Sequence, residues 1–168
     1  MKKSTTGIKK ILMLGAISPE GWHDELCATP ADCEAVAKRL QLPGVTSLRA
    51  SVRVDWDKDI IRVSGHLWAT LTRECVVSLE LFPENIDTNF EALFSENTDI
   101  LSKETEMKEA IDPVDRGRLD FLDILTEQVG LNMDPFPHKP DISYNDSIFE
   151  IKSENKPFSN LKNMIKKD

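Results

Sequence analysis

Apolar residues keep a two-residue period through consecutive runs between Val45 and Phe94. In the first run Leu48, Ala50, Val52, Val54 and Trp56 alternate with Ser47, Arg49, Ser51, Arg53 and Asp55, the pattern of a half-buried strand. Asp57-Lys58-Asp59 breaks it with turn-forming residues. The second run places Ile61, Val63, Gly65, Leu67, Ala69 and Leu71 on one face, with Arg62, Ser64, His66, Trp68 and Thr70 on the other, so the two runs predict a hairpin. Cys75, Val77, Leu79 and Leu81 predict a third strand. After Pro83-Glu84, Ile86, Thr88, Phe90, Ala92 and Phe94 predict a fourth. The expected product is an antiparallel meander with one apolar face.

The flanking segments follow other periods. Thr29-Pro30-Ala31-Asp32 predicts a helix start, with Thr29 as N-cap and Pro30 at the first helical position. Ala31, Ala35, Val36, Leu40 and Leu42 make its apolar stripe, and Pro43-Gly44 ends it. From Ser95 to Asp115 periodicity is lost and acids dominate, which predicts a loop. Leu119, Leu122, Leu125 and Val129 then recur at helical spacing up to about Leu131, where Asn132 to Pro137 stops the helix. Residues 138–155 read as a polar linker, and Pro157 to Ile165 as a short terminal helix. Lys9-Lys10 before Ile11-Leu12-Met13-Leu14-Gly15-Ala16-Ile17 imitates a secretory leader, but the apolar run is short and Ser18-Pro19-Glu20-Gly21 is a poor cleavage site, so a short strand added to the sheet is the expectation. The predicted class is α+β: a meander of about four to six strands, two main helices packed on it and a short C-terminal helix. The chain is expected to be one domain over residues 1–168, with its core at about 10–137, an acidic loop at about 95–115 and a linker plus basic tail at 138–168.

A 40% hydrophobic content supports a core, and the net charge of −8 is unevenly spread. Residues 84–127 hold thirteen acids against Lys103, Lys108, Arg116 and Arg118, a net of −9, whereas Lys2, Lys3, Lys9 and Lys10 and the tail with Lys152, Lys156, Lys162, Lys166 and Lys167 are basic. Such a middle repels phosphate backbones and prefers a basic partner. No window approaches the roughly 18 apolar residues of a membrane span. Cys27, Cys33 and Cys75 are odd in number and lack paired spacing, which argues against a disulfide framework or zinc site and for a reducing, cytoplasmic setting.

Candidate chemistry is sparse. His23, His66 and His138 lie in separate elements without metal-ligand spacing, and His23 and His66 read as solvated side chains. No nucleophile elbow, phosphate-binding glycine loop or dinucleotide fingerprint is present. Carboxylates of the acidic stretch leave a hydrolytic pair arithmetically open. Cys75 falls on the apolar face and reads as a core residue, and Gly65 inside a strand marks a bulge or the close approach of another backbone.

Four pieces in order carry a family resemblance: Ala28-Thr29-Pro30 opening a helix that ends Ala37-Lys38-Arg39-Leu40; Val63-Ser64-Gly65-His66-Leu67 running to Glu74-Cys75-Val76-Val77-Ser78-Leu79-Glu80; Leu119-Asp120 running to Glu127 and Asp134-Pro135-Phe136-Pro137; and Lys156-Pro157-Phe158-Ser159-Asn160-Leu161-Lys162. Together they resemble the YceD-like bacterial proteins, named for accumulation of large-subunit ribosomal RNA. Many members look like Cys-x-x-Cys where this chain has Cys75-Val76-Val77-Ser78, so the single-cysteine branch is the nearer likeness and no metal or redox role of that pair carries over. The resemblance implies a non-enzymatic factor supporting accumulation, processing or assembly of large-subunit (23S) ribosomal RNA, without cofactor, catalytic residues or small-molecule substrate. Expected partners are ribosomal proteins, RNA-processing factors or pre-ribosomal particles, with direct RNA contact left open. Charge nominates Glu104, Glu106, Glu109, Lys162, Lys166 and Lys167 as partner contacts. The alternatives are a carboxylate-based hydrolase and a protein-binding adaptor without a ribosomal role.

Overall fold

Three long strands carry the architecture because their buried apolar residues keep one parity over residues 48–54, 61–71 and 86–90. In the computed structural model, which describes residues 7–8, 11–97 and 110–140, these are β3 (Gly44–Asp57), β4 (Ile60–Glu74) and β5 (Leu81–Ser95). Before them come β1 (Ile11–Met13), a single 3-10 turn (Leu14–Ala16), β2 (Trp22–Cys27) and helix α1 (Pro30–Arg39). After them come β6 (Ile111–Pro113), β7 (Arg118–Asp120) and helix α2 (Phe121–Asn132). One sheet has the order β2-β3-β4-β5-β6, and β1 pairs with β7 in a separate two-stranded sheet. Contact clustering divides the chain into Met1–His138 and Lys139–Asp168, and every element named here belongs to the first unit.

The β3–β4 hairpin turns at Lys58-Asp59, where Lys58 takes φ 57°, and its register runs from Asp57 opposite Ile60 to Gly44 opposite Thr72. That parity sends Leu48, Ala50, Val52 and Val54 of β3 and Ile61, Val63, Leu67, Ala69 and Leu71 of β4 to one buried face. Ile86 and Phe90 of β5 join it, with Val36 of α1 and Ile124, Leu125 and Val129 of α2. Trp22 stacks on Phe121 with ring centroids 5.0 Å apart. Gly65 is a point of close approach: a Cβ there would lie 2.0 Å from the Ser51 carbonyl oxygen of the neighbouring strand.

The helix starts are set by their caps. The Thr29 hydroxyl accepts from the Asp32 N–H while the Asp32 carboxylate accepts from the Thr29 N–H, a reciprocal capping box with Pro30 following. Asp120 begins α2 by accepting from the Leu122 N–H at 3.0 Å. The helical pattern read from Leu119 therefore starts two residues late, since Leu119 is buried in β7 and Asp120 is a cap.

The expected α+β class is overturned. The fold is mostly β, its principal sheet is mixed, and the described residues hold only the two helices. The mixing comes from β6, which pairs parallel to β5 inside the stretch read as loop; three residues are too few to show a period. The third strand of the meander does not exist. Cys75 to Glu80 is a turn closed by Cys75 N–H to the Glu80 carbonyl and Leu79 N–H to the Cys75 carbonyl, each 2.9 Å. The two-residue spacing of its apolar residues does not mark one buried face: Cys75 is fully buried, while Val76, Val77 and Leu79 are exposed. Ile11–Met13 is a strand, yet it pairs with β7 rather than joining the main sheet. Trp56, expected on the apolar face, is exposed and donates its indole N–H to the Lys58 carbonyl. The short C-terminal helix and the 138–155 linker lie outside the described residues beyond position 140.

Candidate interaction surface

The polar parity of the strands builds an open face opposite the core. Register aligns three rows across β2, β3, β4 and β5: Cys27, Arg49, Trp68 and Asp87; Glu25, Ser51, His66 and Asn89; His23, Arg53, Ser64 and Glu91. Over them lies an open groove of about 1290 Å³. Its centre is a stack of three planar groups. The Arg49 guanidinium lies 4.6 Å from the Trp68 ring centroid, and the His66 ring lies 4.2 Å from it at 43°.

His66 is held on both ring nitrogens. Nδ1 meets Asn89 Oδ1 at 2.8 Å and Nε2 meets Asp87 Oδ1 at 2.5 Å. Two oxygen acceptors favour the doubly protonated ring, so the hydrogen bond to Asn89, then that to Asp87, raises the His66 pKa above its ordinary value of 6.5. A raised folded-state value means that the contribution to stability is fully present below the unfolded value and fades as pH rises through the higher folded one. Against a His66→Gln variant, the wild type is expected to lose melting temperature over that window, and the His66 ring resonances to titrate above 6.5. Identical pH dependence of the two melting curves contradicts this assignment.

The other cations on this face are balanced. Arg53 pairs with Asp55 at 2.7 Å, which holds the Asp55 carboxyl below its usual range, and Arg62 pairs with Glu91 at 2.9 Å. Exposed pairs of this kind contribute little to stability. Their main effect is to make the face polar and nearly neutral, suited to hydrogen bonding across a broad contact.

A second cleft, of about 320 Å³, gathers Asp112, Asp115, Asp120, Asp123 and Glu127 over an apolar floor. Three of these acids already have structural partners. Asp120 caps α2, Asp115 bonds Arg118 at 3.0 Å, and Asp123 pairs with Arg39. Among the described residues no group of three His, Cys, Asp or Glu side chains converges as a metal ion requires. Burial first, and then the Asp32 carboxylate, pushes the Cys33 thiol upward, away from thiolate chemistry.

The nominated contacts Glu104, Glu106, Glu109, Lys162, Lys166 and Lys167 all lie outside the described residues. His66 was read as solvated, yet it is tied by Asn89 and Asp87. The Arg49–Trp68–His66 stack was missed, although counting outward from the Lys58-Asp59 turn places Arg49 opposite Trp68.

No helix among the described residues is long and apolar enough to cross a membrane. Fold and surface thus define a mostly-β protein with an open groove over the polar face of its principal sheet. A family model described as large ribosomal RNA subunit accumulation protein YceD matches residues 63–163, more than half of the chain, and the chain belongs to this family. No curated protein and no solved structure matches it.

Proposed function

We propose that this chain is a non-enzymatic factor, acting in the cytoplasm, that lets large-subunit (23S) ribosomal RNA accumulate by supporting its processing, protection or assembly. The observation that carries the proposal is the family match over residues 63–163, whose description names accumulation and no reaction. The open sheet face supports it, since small-molecule sites are concave and bury most of their ligand. Three of the five acids of the second cleft act as a helix cap and as ion-pair partners, which weighs against a carboxylate hydrolase there. Deleting the gene is expected to lower mature large-subunit RNA relative to the small-subunit species in growing cells. An unchanged ratio removes the proposal.

Ribosomal proteins and processing factors, being basic, suit the acidic stretch of the chain. At physiological ionic strength the screening length is about 8 Å, so only a closely apposed surface feels those charges. Replacing Glu104, Glu106 and Glu109 together by Gln is expected to slow association with precursor particles of the large subunit more than it speeds dissociation. Equal association rates at low salt show that this segment only connects, and move the contact to Lys9-Lys10 or Lys162 to Lys167.

A further inference from the structure

Five of the nine large apolar side chains exposed among the described residues fall in two short segments: Val76, Val77, Leu79 and Leu81 at the β4–β5 reversal, and Phe136 in the loop after α2. The segments are joined, because the Val76 N–H donates to the Pro137 carbonyl at 2.9 Å. The fold fixes both presentations. Cys75 is fully buried and its Sγ accepts from the Ser78 N–H at 3.4 Å, so the turn closes on the cysteine while Val76, Val77 and Leu79 are exposed. Phe136 is 72% exposed and is set by an Asx turn in which Asp134 accepts from its N–H.

Leu79 is the most telling residue. It is 70% exposed and takes φ 59°, the left-handed region that disfavours a branched side chain. Glycine or asparagine would serve the turn better, so folding alone does not explain a leucine there. A clustered apolar surface of this kind marks an interaction site.

Charge selects the occupant. Glu74, Glu80 and Asp134 are exposed around the turn and loop, and neither Glu74–Leu81 nor Leu131–His138 contains a lysine or arginine. Arg73, beside the turn, is committed to Glu84 and to the Asp134 carbonyl. Apart from His138 and the Lys139 that follows it in sequence, a phosphate backbone would meet acids there. A second copy would bring acid against acid and a net −8 against −8. We propose that the Cys75–Leu81 turn and the Asp134–Pro137 loop form a docking site for a cationic protein segment that carries apolar anchors. The site rests on the ribosomal reading only for the choice of one probe, the proteins of the large subunit.

The full-length chain and its Leu79→Gly and Phe136→Ser variants are titrated with an amphipathic lysine–leucine peptide, with its glutamate–leucine counterpart, with RNA-free proteins extracted from large ribosomal subunits, and with protein-free ribosomal RNA. The lysine peptide is expected to bind the wild type and to lose at least about tenfold in affinity with either variant, as for a buried anchor. The glutamate peptide is expected not to bind. Leu79→Gly relieves the left-handed strain, so its Tm is expected to equal or exceed that of the wild type, which separates lost binding from lost folding. Equal binding of both peptides, variants that bind as the wild type does, Leu79-dependent binding of RNA, or Leu79-dependent dimerisation would each overturn the docking site. If the lysine peptide binds in a Leu79-dependent way and no ribosomal protein does, the site stands and the proteins of the large subunit are not its occupants.

Discussion

Leu67→Asp is expected to leave the chain unfolded at room temperature. Leu67 is fully buried at the centre of β4, between Ala50 of β3 and Thr88 of β5. Its replacement forfeits about 1.5–3 kcal/mol of side-chain burial. It also leaves a carboxyl without partners, which must be buried uncharged or exposed by unfolding, at a cost of several kcal/mol more. Against a total stability of about 5–15 kcal/mol, that sum removes most or all of the folded population. Two controls fix the interpretation. Leu67→Met keeps volume and polarity and is expected to cost under about 1.5 kcal/mol, and Trp68→Asp, one residue along and on the opposite face, is expected to remain folded because neighbours in a strand point to opposite sides. Urea unfolding followed by circular dichroism measures all three. A Leu67→Asp variant with a wild-type midpoint shows that this face is not the core.

The same parity explains what could be read in advance. From Ser47 to Thr70 the sequence specified both face and register, because the hairpin turn is short and marked by Asp57-Lys58-Asp59, so every cross-strand pair follows by counting until the bulge between Val45 and Ser47. The helix start was equally legible from Thr29 as N-cap and Pro30 after it, whereas the reciprocal bond from the Thr29 N–H to Asp32 was not read. What failed was nonlocal or too short. The β4–β5 reversal spans Cys75 to Glu80, and the two-residue spacing of Cys75, Val77 and Leu79 imitates a strand although only Cys75 of the three is buried. With that reversal hidden, β5 could be seen as a strand but not placed against β4. The parallel partner β6 and the β1–β7 ribbon, each built from three-residue strands, leave no periodic trace.

The surface features divide in the same way. Arg49, His66 and Trp68 stood in plain view on the polar parity of β3 and β4, and only the register was needed to bring them together. Asn89 and Asp87, which hold His66, depend on the β4–β5 pairing and were out of reach. The exposed apolar turn was concealed for a further reason: Val76, Val77 and Leu79 have the composition of a buried strand, and hydrophobicity alone does not reveal that a fold displays them to water.

Arg73→Met is expected to produce the second large loss. Arg73 and Glu84 pair at 2.6 Å across the ends of β4 and β5, with side chains only 10% and 16% exposed. Both also hold the loop after α2: Arg73 donates to the Asp134 carbonyl, and Glu84 accepts from the Asp134 N–H, each at 2.8 Å. Removing the guanidinium strands a nearly buried carboxylate, for which about 3–5 kcal/mol is the usual penalty. Removing both charges does not, so Arg73→Met combined with Glu84→Leu is expected to recover much of the loss, and a double-mutant cycle isolates the coupling. The loop contacts give a local readout independent of global stability. In Arg73→Met the amides of Asp134 and Val76 are expected to exchange hydrogen faster than those of the β3–β4 hairpin, because the loop that presents Phe136 loses one of its two attachments to the sheet while keeping the Val76–Pro137 bond. Unchanged exchange at Asp134 and Val76, together with a loss no greater than that of an exposed pair, about 0–1 kcal/mol, shows instead that solvent already screens the pair and that the Glu84–Asp134 and Val76–Pro137 bonds hold the loop without Arg73.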